Sequence, residues 1–234
     1  MEACIMNETQ KRTYILPIAY DILLSSGFPL TIAYICFCGF VGYAGKFLSP
    51  QFLITGYVVC AVLWFFAVFV LGVLNIVQSF RKYAQGADIY CLNAMLTLKY
   101  GLVVYFILNF AAYALIALVL LAASRGTLIL AFPLYPMYGA IFLAIAGGTW
   151  LALLPGAFYG IQVVRFGRVQ EKLTPATAVL HGILQFFFLF DVLDALYLSV
   201  KLWGRGKKSA AVIGIVYAVP ACLLLYFFLR WYVS

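Results

Sequence analysis

The chain has 234 residues, of which 67% are apolar and only 9% charged, with a mean hydropathy of +1.09. A soluble domain is about half apolar and about a quarter charged, so this composition excludes a water-soluble globule, whose surface would aggregate. The net charge of +8 does not mark a nucleic-acid binder, because the fifteen basic residues are scattered between hydrophobic runs and form no single stripe.

The first twelve residues, MEACIMNETQKR, are polar and mixed in charge. A signal peptide would set basic residues directly before a short apolar core and a cleavage site, so the first apolar run is expected to stay in the mature protein. A helical span needs about twenty mostly apolar residues. The first such run is 28–45. Before it, Tyr14–Ser26 either lies in the membrane interface or extends that helix through a kink near Pro29. The following runs are 52–77, 96–123, 138–164, 181–200 and 210–231. They are continuous and far longer than the alternating segments of barrel strands, about ten residues each. The expected fold is therefore all-α, a single polytopic transmembrane helical bundle of six spans, with five spans and a re-entrant segment as the alternative.

Lys and Arg set orientation. With Lys11 and Arg12 cytoplasmic, Arg81, Lys82, Arg165, Arg168 and Lys172 also fall inside, and Lys46 and Arg125 fall outside. Six full spans would put the basic stretch Lys201–Lys208 outside and break the rule. Segment 181–200 is also the weak span energetically. Asp191 and Asp194 each cost about 2.5–3.5 kcal/mol on an insertion scale, and its dozen or so strongly apolar residues return about 0.3–0.6 kcal/mol each, a sum near zero. A re-entrant 181–200 would restore the charge rule and put the C-terminus outside.

A faint internal repeat superimposes the second and third runs on the fourth and fifth at an offset of 85. Asn75 falls on Gly160, and Tyr105–Asn109 on Phe190–Asp194. Duplication and chance hydrophobic matching both account for it.

Small residues recur every four positions on the fourth run, at Ala140, Ala144, Gly148, Ala152, Gly156 and Gly160. The sixth run repeats the pattern at Ala210, Gly214 and Ala218. Such stripes let helix backbones approach closely in lipid. They predict two packing seams facing one another, or else a dimer face. Pro155 is expected to kink the fourth helix.

Ionisable residues inside a span are functional candidates. Asp191 and Asp194 are three apart and share one helix side. Three arrangements are open: a structural polar clamp to Lys201, Lys99 or Asn109, an ion or proton site, or water exposure in a re-entrant segment. His181 and Gln185 lie one turn apart at the start of the same run. As the lone histidine of the chain, His181 points away from a metal centre. Asp21, Asn75, Asn93 and Gln162 are further candidates for interhelical hydrogen bonds. The six cysteines show no disulfide framework. Cys36 and Cys38 diverge by about 200° around a helix, so they do not form one site. There is no H-E-x-x-H, G-x-S-x-G, phosphate-binding Gly loop or C-x-x-C. No catalytic residue, metal site or cofactor is expected.

Two stretches resemble an uncharacterised family of small multi-pass membrane proteins of bacteria. One is Leu154–Ile161 with Arg165 and His181–Asp194. The other is Leu74–Val77 with Met95–Phe110. The resemblance covers roughly residues 50–205. It implies a bacterial cytoplasmic membrane and carries no activity, ligand or catalytic residue with it. The reading that results is a non-enzymatic multi-pass membrane protein with a cytoplasmic N-terminus. Its expected role is an accessory or scaffold component acting through helix packing, with the bilayer and a second copy or another membrane subunit as partners. The alternatives are a small permease coupled to protons or ions through Asp191 and Asp194, and an intramembrane enzyme on a lipid.

Overall fold

A computed structural model describes residues 14–44, 49–127, 135–208, 210–216, 226, 229 and 230. Among these no strand occurs. The named elements are α1 (Ile15–Ala44), α2 (Pro50–Ala84), α3 (Asp88–Ala123), α4 (Tyr135–Val169), α5 (Pro175–Leu184) and α6 (Phe190–Tyr197), followed by a π-helical turn at Leu198–Leu202. Four helices, α1 to α4, are long and apolar enough to cross a membrane. The longest, α3, has 36 residues and is about 54 Å long.

Helix α1 runs unbroken through Pro29, so Tyr14–Ser26 belongs to the first helix and is not a separate segment. Proline removes one backbone donor there. Nearby hydroxyls turn back onto the same helix, Ser26 Oγ to Leu23 O at 2.7 Å and Thr31 Oγ1 to Gly27 O at 2.9 Å. Helix α2 is capped by Ser49 and starts with Pro50, whose missing N–H has no partner to lose. It ends with Arg81 and Lys82 in its last turn and Gly86 at φ 69°. The Ala87 amide reaches back to Lys82 O at 3.1 Å, which closes the helix and turns the chain directly into α3.

The buried core lies towards one end of the bundle. Tyr20 and Leu24 of α1, Tyr90–Leu102 of α3 and Ala152–Phe166 of α4 converge there. Interhelical hydrogen bonds tie it together. Tyr20 donates to Ala152 O at 3.2 Å, Trp64 Nε1 to Leu23 O at 2.9 Å, Asn75 to Leu16 O at 3.2 Å, and Tyr159 to Gln78 Oε1 at 3.0 Å. Towards the other end, most described side chains of α3 after Val103 and of α4 before Ala152 are exposed, and most of them are apolar.

Segment 181–200 is not one helix. It divides between α5, ten residues long, and α6, eight residues long, around a turn at 185–189. Leu189 adopts φ 72° within that turn. For a residue with a side chain this costs about 1–3 kcal/mol, and it persists only where the surroundings enforce it. The pair forms a hairpin. Leu198 packs back on Val164 and Leu173, and the Lys172 ammonium sits 4.7 Å over the Trp203 ring. The start of the basic stretch from Lys201 therefore returns to the end of the bundle that carries Arg165, Arg168 and Lys172. Arg81 and Lys82 are at this end too, because Arg165 stacks 4.0 Å over Tyr83. Tyr14, at the start of α1, stacks on Tyr90 at 4.8 Å and shares that end. Arg125 sits at the far end of α3.

At offset 85, α2 (Pro50–Ala84) falls end for end on α4 (Tyr135–Val169), but the second half of the repeat has no counterpart in shape. α3 is one continuous helix, and the hairpin aligned with it is broken.

Candidate functional site

The hairpin's polar residues close onto α3 and α4. Asp191 and Asp194 lie one turn apart on the buried side of α6, but they do not form a carboxylate pair of their own. Each has its own partners. Lys99 of α3 donates to Asp191 Oδ2 at 3.0 Å and to the Asp191 backbone oxygen at 3.1 Å, across 92 residues of chain. The side chains of this ion pair are 1% and 2% exposed. His181 Nδ1 bonds Asp194 Oδ1, and the Gln185 side-chain amide donates to Asp194 Oδ2. The His181 ring also stacks on Tyr197, 5.3 Å away and 18° from parallel.

The α4 stripe makes room for this cluster. Gly156 lies beside the Lys99 side chain, where a Cβ would stand 3.4 Å from Lys99 Cγ. Gly160 lies beside Gln185, whose amide fills the space a Cβ would need. Two buried acceptors, Asp191 Oδ1 and Gln185 Oε1, have no hydrogen-bond partner among the described residues. Among the described residues no three His, Cys, Asp or Glu side chains come together as a metal-binding set.

The structure thus brings Lys99, His181, Asp191 and Asp194 to one place and leaves two of the predicted partners elsewhere. Asn109 donates to Tyr105 O of its own helix at 2.8 Å, satisfying itself locally. Lys201 is exposed on the π-helical turn, and among the described residues no ion pair joins it to Asp194. The change from α-helix to π-turn shifts the angular register that would have brought Lys201 over Asp194.

The small-residue stripe divides in two. Ala152, Gly156 and Gly160 are buried, and the neighbours they meet among the described residues lie on α1, α3 and the hairpin. Ala140 and Gly148 are exposed. Ala210 and Gly214 are half-buried, and a Cβ on Gly214 would meet nothing within 4 Å. The side chain of Ala144 and all of Ala218 lie outside the described residues. Sequence reasoning missed the notch at Gly101, against which the Asp21 side chain packs. Asp21 Oδ1 is buried without a hydrogen-bond partner among the described residues.

The model of a family of unknown function, DUF6652, matches residues 19–205. The chain belongs to this family. The matched region holds α3, α4 and the whole hairpin, with Lys99, His181, Gln185, Asp191 and Asp194 inside it. No curated protein and no solved structure matches the chain.

Proposed function

We propose that this DUF6652 chain is a non-enzymatic integral membrane protein that acts as an accessory or scaffold component through helix packing. In this reading α1 to α4 and the 210–231 run span the bilayer. The α5–α6 hairpin is re-entrant, and the N-terminus and the 201–208 stretch are cytoplasmic. A helix broken at membrane depth is tolerated where protein buries it, and α3 and α4 cover the hairpin's polar side. This arrangement restores the positive-inside rule that six full spans would break. The observation that carries the scaffold reading is that each aspartate is engaged inside the chain, Asp191 by Lys99 and Asp194 by His181 and Gln185. Carboxylates engaged in this way hold one element against another.

A second reading, a proton- or ion-coupled permease, is favoured by one feature: a discontinuous helix beside buried ionisable groups, the arrangement found at transporter binding sites. The same convergence would be needed for an enzyme acting on a lipid, but the burial of Lys99, Asp191 and Asp194 does not favour that reading. Purified protein in liposomes separates the two main readings. The scaffold reading expects no proton- or cation-driven flux above protein-free vesicles. Flux abolished by Asp191→Asn with Asp194→Asn would overturn it.

A further inference from the structure

A groove of about 410 Å³ opens between the end of α2, the last turns of α4 and the first helix of the hairpin. Its volume falls within the range of small-ligand pockets, about 300–1,000 Å³. Its lining is mostly apolar. At the basic end of the bundle it is bordered by Arg165 and Arg168, and deeper in by apolar residues such as Val179, with Gly182 further along α5. Among the described residues no carboxylate lines it.

Arg165 is held in place there. Its guanidinium lies 4.0 Å over the Tyr83 ring and donates to Gln162 Oε1 at 3.0 Å. Those contacts use one edge and one face of a planar group that carries five donors, so N–H groups remain for an anion. Arg168, one turn on, is exposed and donates to Leu173 O at 3.5 Å. The apolar part of the groove is open, because a Cβ on Gly182 would meet nothing within 4 Å. Val179 is 64% exposed.

An amphiphile with a negative head and an apolar tail matches this pattern. We propose that the groove binds one anionic phospholipid, with its phosphate between Arg165 and Arg168 and one acyl chain lying along α5 past Val179 and Gly182. The proposal rests on the membrane reading above.

Dioleoylphosphatidylglycerol, dioleoylphosphatidylcholine and inorganic phosphate serve as probes. The full chain is first incorporated into phosphatidylcholine nanodiscs, then moved to detergent and titrated with each probe, with bound molecules counted by native mass spectrometry. One phosphatidylglycerol per chain is expected, at least about tenfold tighter than phosphatidylcholine, the scale of two arginines near an anionic headgroup. Arg165→Gln with Arg168→Gln removes that preference. Gly182→Leu keeps both arginines, fills the groove and weakens phosphatidylglycerol binding by a similar factor, with an unchanged circular dichroism spectrum.

Equal binding of the two lipids, or a preference that survives both variants, overturns the proposal. So does inorganic phosphate that binds alone and displaces the lipid, which would mark a free-anion site. A change of oligomeric state in Gly182→Leu without loss of lipid would make the groove a protein interface and also overturn it. Failure to enter nanodiscs at all would bring down the membrane reading itself, whereas entry without lipid preference brings down only the groove.

Discussion

Replacing Lys99 by Met leaves the Asp191 carboxylate buried and uncompensated. Breaking a buried ion pair from one side costs about 3–5 kcal/mol, whereas replacing both partners by apolar residues is often close to neutral. Lys99→Met is therefore expected to lower the unfolding temperature in detergent sharply, and Lys99→Met with Asp191→Leu to recover most of the loss. If the double variant is no better than the single one, the pair is not what makes Lys99 matter. Gly160 gives a second test at the same scale. A methyl there displaces the Gln185 amide from Asp194 and strands a buried polar group, at about 1–3 kcal/mol. Gly160→Ala should be destabilised by that amount, and adding Gln185→Ala should remove the steric part of the penalty. The unfolding midpoints of the two variants decide it.

The hairpin is the element that departs most from what its sequence suggests. Residues 185–189 read Gln-Phe-Phe-Phe-Leu, with neither Gly nor Pro, yet the helix breaks there. Bonds made elsewhere impose the break. Lys99 draws in the Asp191 backbone oxygen as well as its carboxylate, and His181 and Gln185 on one arm grip Asp194 on the other. Leu189 takes the strain at φ 72°. Leu189→Gly should relieve it and stabilise the fold by about 1 kcal/mol, seen as a higher unfolding temperature. The side chain is 46% exposed, so little packing is lost with it. A lower midpoint would mean that the turn is not strained. The re-entrant path is tested separately, by cysteines introduced at Glu171 and at Arg205 in a cysteine-free background. Both should react with an impermeant reagent from the same side of the membrane. Labelling from opposite sides would show that 181–200 crosses.

For the whole molecule, four long apolar helices and a broken fifth segment lead to one expectation. The protein should resist extraction by alkaline carbonate and come out only with detergent; release by carbonate would contradict membrane integration. The four long helices were legible in the sequence because helix hydrogen bonds join residues four apart, and a run of apolar side chains reports its own preference for lipid. Asp191, Asp194, His181 and Lys99 stood out for a similarly local reason, since charge within an apolar run is costly. Which partner each would take was not local. Asn109 and Lys201 looked as suitable as Lys99, and only the packing of α3 against α6 chose among them. The α4 glycines read as a seam between helices, because spacing shows that a residue is small and not what fills the space beside it. Gly156 and Gly160 admit a lysine and a glutamine side chain instead. The sequence by itself determined an all-helical fold of long apolar helices, six of them expected and four found at membrane length among the described residues, because those interactions lie within a few residues of one another. The broken hairpin and the Lys99–Asp191 and His181–Asp194 pairs were decided by tertiary structure alone. The energy that bends the chain at Leu189 comes partly from a lysine 92 residues before Asp191, which no local pattern records.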